Sequence, residues 1–209
     1  MPPTFSPSLL PSDSAPKLAQ LRERRFGQRP ATVWMTGLSG AGKSTLAAAL
    51  EHALLLAGRP VLVLDGDVVR EGLNRGLGFS SADRDENVRR VAEVARLANE
   101  AGLLVLAALI SPLAAQRALA RGIVGAERFV EVHLSTTLAV CAGRDPKGLY
   151  AKAMAGGLAD FTGIGAAYEP PQQPDLRIDA GSASPAAAAS SVLDLLHARG
   201  FLLDHGRDG

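Results

Sequence analysis

The chain has 209 residues, is 47% hydrophobic and 21% charged, and carries a formal net charge of +1 at pH 7. That length suits one α/β core, and a charge near zero points to neither nucleic acid nor an acidic membrane surface as partner. Cys141 is the sole cysteine, so no intrachain disulfide forms, and no apolar run approaches the ~18 residues of a membrane span. With no secretory signal ahead of Lys17, Arg22, Arg24 and Arg25, the expectation is a soluble cytoplasmic protein in a reducing compartment.

Residues 1–13 contain four prolines and three serines and read as a loose tail. Lys17 to Phe26 reads as a short charged helix with Ser14 as its cap. Residues 1–29 are therefore expected to be a flexible tail with a short helix, and 30–209 a single domain. Ala31 to Thr36 is the first strand. It runs into Gly37-Leu38-Ser39-Gly40-Ala41-Gly42-Lys43-Ser44, followed by Thr45, which fits the phosphate-cradling pattern G-x-x-x-x-G-K-[ST]. Glycines let the backbone curl and aim several N–H groups at one anion. Lys43 adds a mobile positive charge for the terminal phosphates, and the Ser44 hydroxyl is a ligand for Mg²⁺. A helix from Ser44 to Ala57 then presents its N-terminus to the phosphate.

Val61 to Leu64 is a short, wholly apolar strand of the kind found in parallel sheets. It ends at Asp65-Gly66-Asp67. Ligands of open α/β sheets sit beyond the carboxyl ends of strands, so both carboxylates lie near the phosphates. One should cap a helix over 67–74 and the other do chemistry, with Asp67 favoured for chemistry. Phe79, an aromatic in a loop, is either a plug at the core edge or a stacking surface for a purine. The helix from Ser80 to Ala101 buries Val88, Val91, Ala95 and Ala98 and carries Arg84, Asn87 and Arg90 on or near one side. Arg84 and Asn87, at its start, are candidates for binding an anion.

Leu103 to Ile110 is the longest apolar strand and is expected at the sheet centre. It ends at Ser111-Pro112, without the aspartate that many phosphate-loop proteins carry there, which strengthens the case for Asp65 or Asp67. Ser111 is expected at the ligand edge, or else as the cap of a helix from Pro112 to Arg121. Phe129 to Leu134 is a further strand and Thr136 to Ala142 a short helix. A polar, Gly-rich stretch from 145 to about 174 reads as a mobile lid. Leu176 to Asp179 is the last strand, and Ser184 caps a final helix that opens with Pro185. His52, His133, His197 and His205 have no metal-ligand spacing and receive no chemistry. Five strands alternating with helices give an α/β class: a P-loop NTPase-type three-layer fold with a five-stranded, mainly parallel sheet, helices on both faces and the mobile lid.

The ordered motifs resemble the adenylylsulfate kinase family of P-loop kinases from about Trp34 to Asp179. Besides the phosphate loop they include Leu64-Asp65-Gly66-Asp67, Gly72-Leu73-Asn74, Leu77-Gly78-Phe79-Ser80, Asp83-Arg84 and Glu86-Asn87-Val88-Arg89-Arg90. Ile110-Ser111-Pro112, Arg144-Asp145-Pro146-Lys147-Gly148-Leu149-Tyr150 and Phe161-Thr162-Gly163-Ile164 complete the set. The resemblance implies transfer of the ATP γ-phosphate to the 3′-hydroxyl of adenylylsulfate in sulfate assimilation, with Mg²⁺, a homodimer and an association with ATP sulfurylase. It implies Lys43, Asp67 and Ser111 as catalytic residues. ATP falls to Gly37, Ser39, Gly40, Ala41, Gly42, Lys43, Ser44, Thr45 and Arg144, and the metal to Ser44 and Asp65. Adenylylsulfate falls to Asp67, Arg70, Phe79, Arg84, Asn87, Ile110, Ser111, Lys147 and Phe161. The chain departs from the family pattern at Val68, Leu113, Ala114, Ala151 and Met154 and at Ser135-Thr136-Thr137. A kinase of another hydroxyl compound and a non-catalytic nucleotide-binding relative are the alternatives.

Overall fold

The computed structural model describes residues 14–158 and 161–203. The expected loose tail at 1–13 lies outside those residues. Five strands form one parallel sheet: β1 (Thr32–Thr36), β2 (Val61–Asp65), β3 (Leu104–Ala108), β4 (Phe129–Leu134) and β5 (Leu176–Ile178), in the order β2-β3-β1-β4-β5. Thr32 stands opposite Val105 of β3 on one side and Phe129 of β4 on the other. The centre is thus β1, not the longer apolar run of β3. Apolar length reports burial on both faces, which the two strands share, and not position in the sheet.

Successive β1 side chains point to opposite faces, and each face has its own core. Val33 and Met35 pack with Leu46, Leu50 and Leu54 of α2 (Lys43–Leu56) and with Val192 and Leu196 of the C-terminal helix (Pro185–Ala198). Trp34 packs on the other face with Val88, Val91 and Ala95 of the helix Ser81–Glu100 and with Ala120 and Val124 of the helix Ala114–Val124. The Trp34 ring stacks on Phe129 at 5.6 Å. Burying a side chain of this size stabilises the sheet by roughly 1.5–3 kcal/mol.

The remaining helices complete the order: α1 (Ser14–Phe26), α3 (Gly66–Glu71), α4 (Ser81–Glu100), α5 (Ala114–Val124), α6 (Leu138–Arg144), α7 (Leu149–Met154) and α8 (Pro185–Ala198). Their starts are set by local chemistry. Ser80 caps α4 and Ser184 caps α8 ahead of Pro185. Ser14 is the first residue of α1 rather than a cap before it. Thr137 caps α6, which begins two residues later than expected, because the Thr136 hydroxyl donates to Ala41 O at 3.1 Å instead.

Two expectations about helix bounds fail, one at an end and one at a start. Helix α3 ends at Glu71 rather than running to 74, because Asn74 N turns back to Val69 O. Helix α5 starts at Ala114, not Pro112, and Ser111 does not cap it. The carboxylate of Glu169, distant in sequence, accepts from Ala114 N at 2.7 Å and takes that role. The stretch expected to be a lid contains α7. The Asp145 carboxylate accepts from Tyr150 N at 3.1 Å and Ala151 N at 3.0 Å, which organises the first turn of that helix and holds the Asp145 carboxyl below its usual range. Among the described residues no helix is long and apolar enough to cross a membrane.

Candidate active site

The phosphate loop forms where β1 hands over to α2. A Cβ at Gly37 would lie 2.7 Å from Leu134 O, so only glycine fits there. Gly42 caps α2 in the left-handed region, φ 102°. The loop is braced from outside: Tyr150 OH donates to Ser39 O at 2.9 Å, and Arg144 donates to Gly40 O at 3.3 Å and to Ala180 O at 2.6 Å. Inside it, Lys43 Nζ donates to Gly37 O at 2.9 Å and Leu38 O at 2.8 Å. Burial pulls the Lys43 ammonium down to a pKa of about 8. Ser44 and Thr45 open α2 toward the cleft.

The two aspartates divide their work. Asp65 caps α3, its Oδ1 accepting from Asp67 N at 2.9 Å, while its Oδ2 accepts from Ser44 Oγ at 2.6 Å. Asp67 is left with an exposed carboxylate that faces the cleft and pairs with Lys147, tying α3 to the stretch before α7. A hydroxyl beside a carboxylate, both hard oxygen donors at the phosphate edge, fits a magnesium ion that takes its other ligands from phosphates and water. No group of three or more His, Cys, Asp and Glu able to hold a metal exists among the described residues, so a closed all-protein metal cage is not what this edge offers.

The far end of the cleft has a different character. The Arg70 guanidinium lies 4.5 Å from the Phe79 ring centroid and donates to Gly78 O at 3.0 Å. Arg84 donates to Phe79 O at 2.9 Å and to Thr162 Oγ1 at 3.1 Å. Phe79 itself is 63% exposed, so it is a cleft surface and not a plug in the core. Asn87 is buried and accepts from Asn74 Nδ2 at 2.9 Å. Ile110 and Ser111 close the floor beyond β3, and Phe161 meets Tyr150 edge-on at 4.9 Å. Ser111 has φ 37°, rare for a residue with a Cβ, and its Oγ accepts from Trp34 Nε1 at 3.1 Å. Such strain persists only where surrounding contacts impose it.

One cavity of about 990 Å³ joins these parts, from Ser39, Lys43 and Arg144 at one end to Arg84, Asn87 and Phe161 at the other. Gly37 and Ala41 shape the loop from behind rather than line it. Arg90 stays outside: it pairs with Glu86 and donates to Leu73 O. Thr162, 2% exposed, and Gln116 also line the cleft; Thr162 lies within the Phe161-Thr162-Gly163-Ile164 motif without being singled out there, and Gln116 has no signal of its own in the sequence. His133 is buried away from the cleft lining, and burial holds its pKa near about 4, so it stays neutral.

An anion loop with its lysine and hydroxyl at one end, an exposed carboxylate paired with Lys147, and an arginine-and-aromatic chamber define a phosphate-loop kinase of a small acceptor. The family model for adenylylsulphate kinase matches residues 29–179. Adenylyl-sulfate kinases of Pseudomonas entomophila (52% identity over 183 residues; 88% of each chain) and Shewanella halifaxensis (54% over 179; 86% of this chain, 87% of that one) are similar along most of their length. The solved structure of the Mycobacterium tuberculosis APS kinase in complex with AMPPNP and APS superposes with a TM-score of 0.78 at 51% identity, covering 81% of this chain and 99% of that one. The chain belongs to the adenylylsulphate kinase family.

Proposed function

We propose that the chain transfers the γ-phosphate of ATP to the 3′-hydroxyl of adenylylsulfate, giving 3′-phosphoadenylylsulfate and ADP. The observation that carries this is the single cleft in which Asp67 stands between the phosphate loop and the Arg70–Phe79–Arg84 chamber. The loop N–H groups, Lys43 and Arg144 hold ATP. The adenine of the acceptor takes the exposed aromatic surface of Phe79, in the cleft that Phe161 also lines. Arg70, Arg84 and Asn87 answer its phosphosulfate, with Lys147, Ile110 and Ser111 along the wall. The acceptor oxygen forms its bond to the γ-phosphorus, the bond to the bridging oxygen of ADP breaks, and the hydroxyl proton passes to the Asp67 carboxylate. Ser44 and Asp65 would hold Mg²⁺ together with the phosphates. Bound there, the ion would supply neutralisation of phosphate charge.

The same reading makes 30–209 one working domain, its 145–174 stretch a lid that closes over both substrates, and the enzyme a cytoplasmic homodimer that associates with the ATP sulfurylase supplying its acceptor. Purified protein with Mg-ATP is tested against adenylylsulfate, adenosine 5′-monophosphate and small hydroxy acids, with ADP release as readout. Release with adenylylsulfate alone supports the assignment, and release with a hydroxy acid alone overturns it.

Lys43 gives the reaction a pH signature. In the free enzyme its ammonium loses its proton as pH rises through about 8. Bound phosphate favours the charged form and moves that loss upward. The kcat/KM for ATP, which reports the free enzyme, is expected to fall above about pH 8, while kcat holds to higher pH. Profiles of both parameters from pH 6 to 10 check this, and a kcat/KM flat through pH 9.5 contradicts it.

A further inference from the structure

We propose that Arg117 is a positioning residue for the acceptor, joining the Ser111–Pro112 turn to the end of the lid at Glu169, an inference that rests on the adenylylsulfate reading above. Arg117 does not line the cleft. It lies behind it on α5, 5% exposed, and its fork makes three hydrogen bonds to carbonyls and one ion pair, reaching three parts of the chain. Nη1 donates to Ser111 O at 2.9 Å and Pro112 O at 3.2 Å, Nη2 donates to Glu169 O at 2.7 Å, and Nε pairs with Glu131 Oε1 of β4 at 2.9 Å.

The junction closes from the other side as well. Glu169 N donates to Pro112 O at 2.8 Å, and the Glu169 carboxylate accepts from Ala114 N. Tyr168 OH is hydrogen-bonded to Thr36 Oγ1 at 3.2 Å, and Thr36 Oγ1 donates to Ile110 O at 2.6 Å. Tyr168 also stacks on His133. Three carbonyls converging on one guanidinium are the contacts that impose the left-handed backbone of Ser111. A buried ion pair by itself is weak evidence for stability, since well-packed apolar residues serve as well or better. A planar fork that reaches three carbonyls and a carboxylate at once is something only arginine supplies, which points to geometry as its role. The acceptor wall and residues 168–169 therefore move as one body, and adenylylsulfate binding is the step that depends on it.

Three proteins separate positioning from mere structure: the parent, Arg117→Lys and Glu131→Gln. Lysine keeps a charge facing Glu131 but cannot span the three carbonyls. Glutamine weakens the pair yet leaves those carbonyls bonded. Arg117→Lys is expected to raise KM for adenylylsulfate about tenfold or more, with KM for ATP within about twofold, a split that marks loss of binding at one substrate only. Glu131→Gln is expected to lower Tm and leave both KM values within about twofold of the parent. Equal KM changes in the two variants, or KM for both substrates rising together in Arg117→Lys, would overturn the proposal. If Arg117→Lys does not fold, hydrogen exchange on the parent decides. Adenylylsulfate with ADP is expected to slow exchange at the Ala114 and Glu169 amides, and unchanged exchange there with protection at Phe79 to Asn87 overturns the proposal. A parent that turns over no adenylylsulfate refutes the functional reading itself, before either variant is compared.

Discussion

Lys43→Ala is expected to lower kcat at least about a hundredfold while the chain still folds. The loss comes from the transition state. As the γ-phosphoryl group leaves ADP, charge spreads over its oxygens and the bridging oxygen, and the Lys43 ammonium is the fixed cation of the phosphate loop. Its position is set by Gly37 O and Leu38 O, so it meets the phosphates at no cost of reorganisation. The fold survives because the side chain bonds only to these two loop carbonyls, while the packing of α2 rests on Leu46, Leu50 and Leu54. The check is kcat beside circular dichroism and a Tm. A folded variant with near-normal kcat would remove Lys43 from the mechanism.

Asp67→Asn is expected to cost about 10²–10⁴ in kcat with little change in KM for adenylylsulfate. Asparagine keeps the shape but can neither take the hydroxyl proton nor carry a negative charge. The exposed pair with Lys147 contributes only about 0–1 kcal/mol to stability, so its loss does not confuse the comparison. Asp65→Asn is the informative partner. An asparagine oxygen still caps α3, so the variant tests the Ser44 and Mg²⁺ edge without unravelling the helix. A severe Asp65→Asn with a mild Asp67→Asn would reverse the roles assigned to the two carboxylates.

How much of this was legible in the chain follows from how local each feature is. The phosphate loop, the Ser184 cap and the capping of α3 by Asp65 each depend on a few consecutive residues, and the structure places them accordingly. Arg84, Asn87 and Arg90 looked like one group. Steps of three residues rotate about 60° short of a full helical turn each, so Arg90 swings off the cleft and finds Glu86, four residues before it. Helix α7 was hidden because Gly148, Gly156 and Gly157 flank it and make the stretch read as loop. The start of α5 was unreadable for a deeper reason. Its first N–H is answered by Glu169, which reaches it only once the sheet has assembled. The departure at Ala114 loses a side chain but keeps that N–H, so the contact survives it. Thr162 owes its place in the site to Arg84, again a contact that tertiary structure alone creates.

The central claim is that the phosphate loop and the arginine-and-aromatic chamber serve one transfer, onto the 3′-hydroxyl of adenylylsulfate. The most direct measurement is ³¹P NMR of the product formed from Mg-ATP and adenylylsulfate. The account predicts a new phosphate monoester at the 3′ position, an intact phosphosulfate resonance and one ADP per product. ADP with free phosphate and unchanged adenylylsulfate, or a phosphate at any other position, would contradict it.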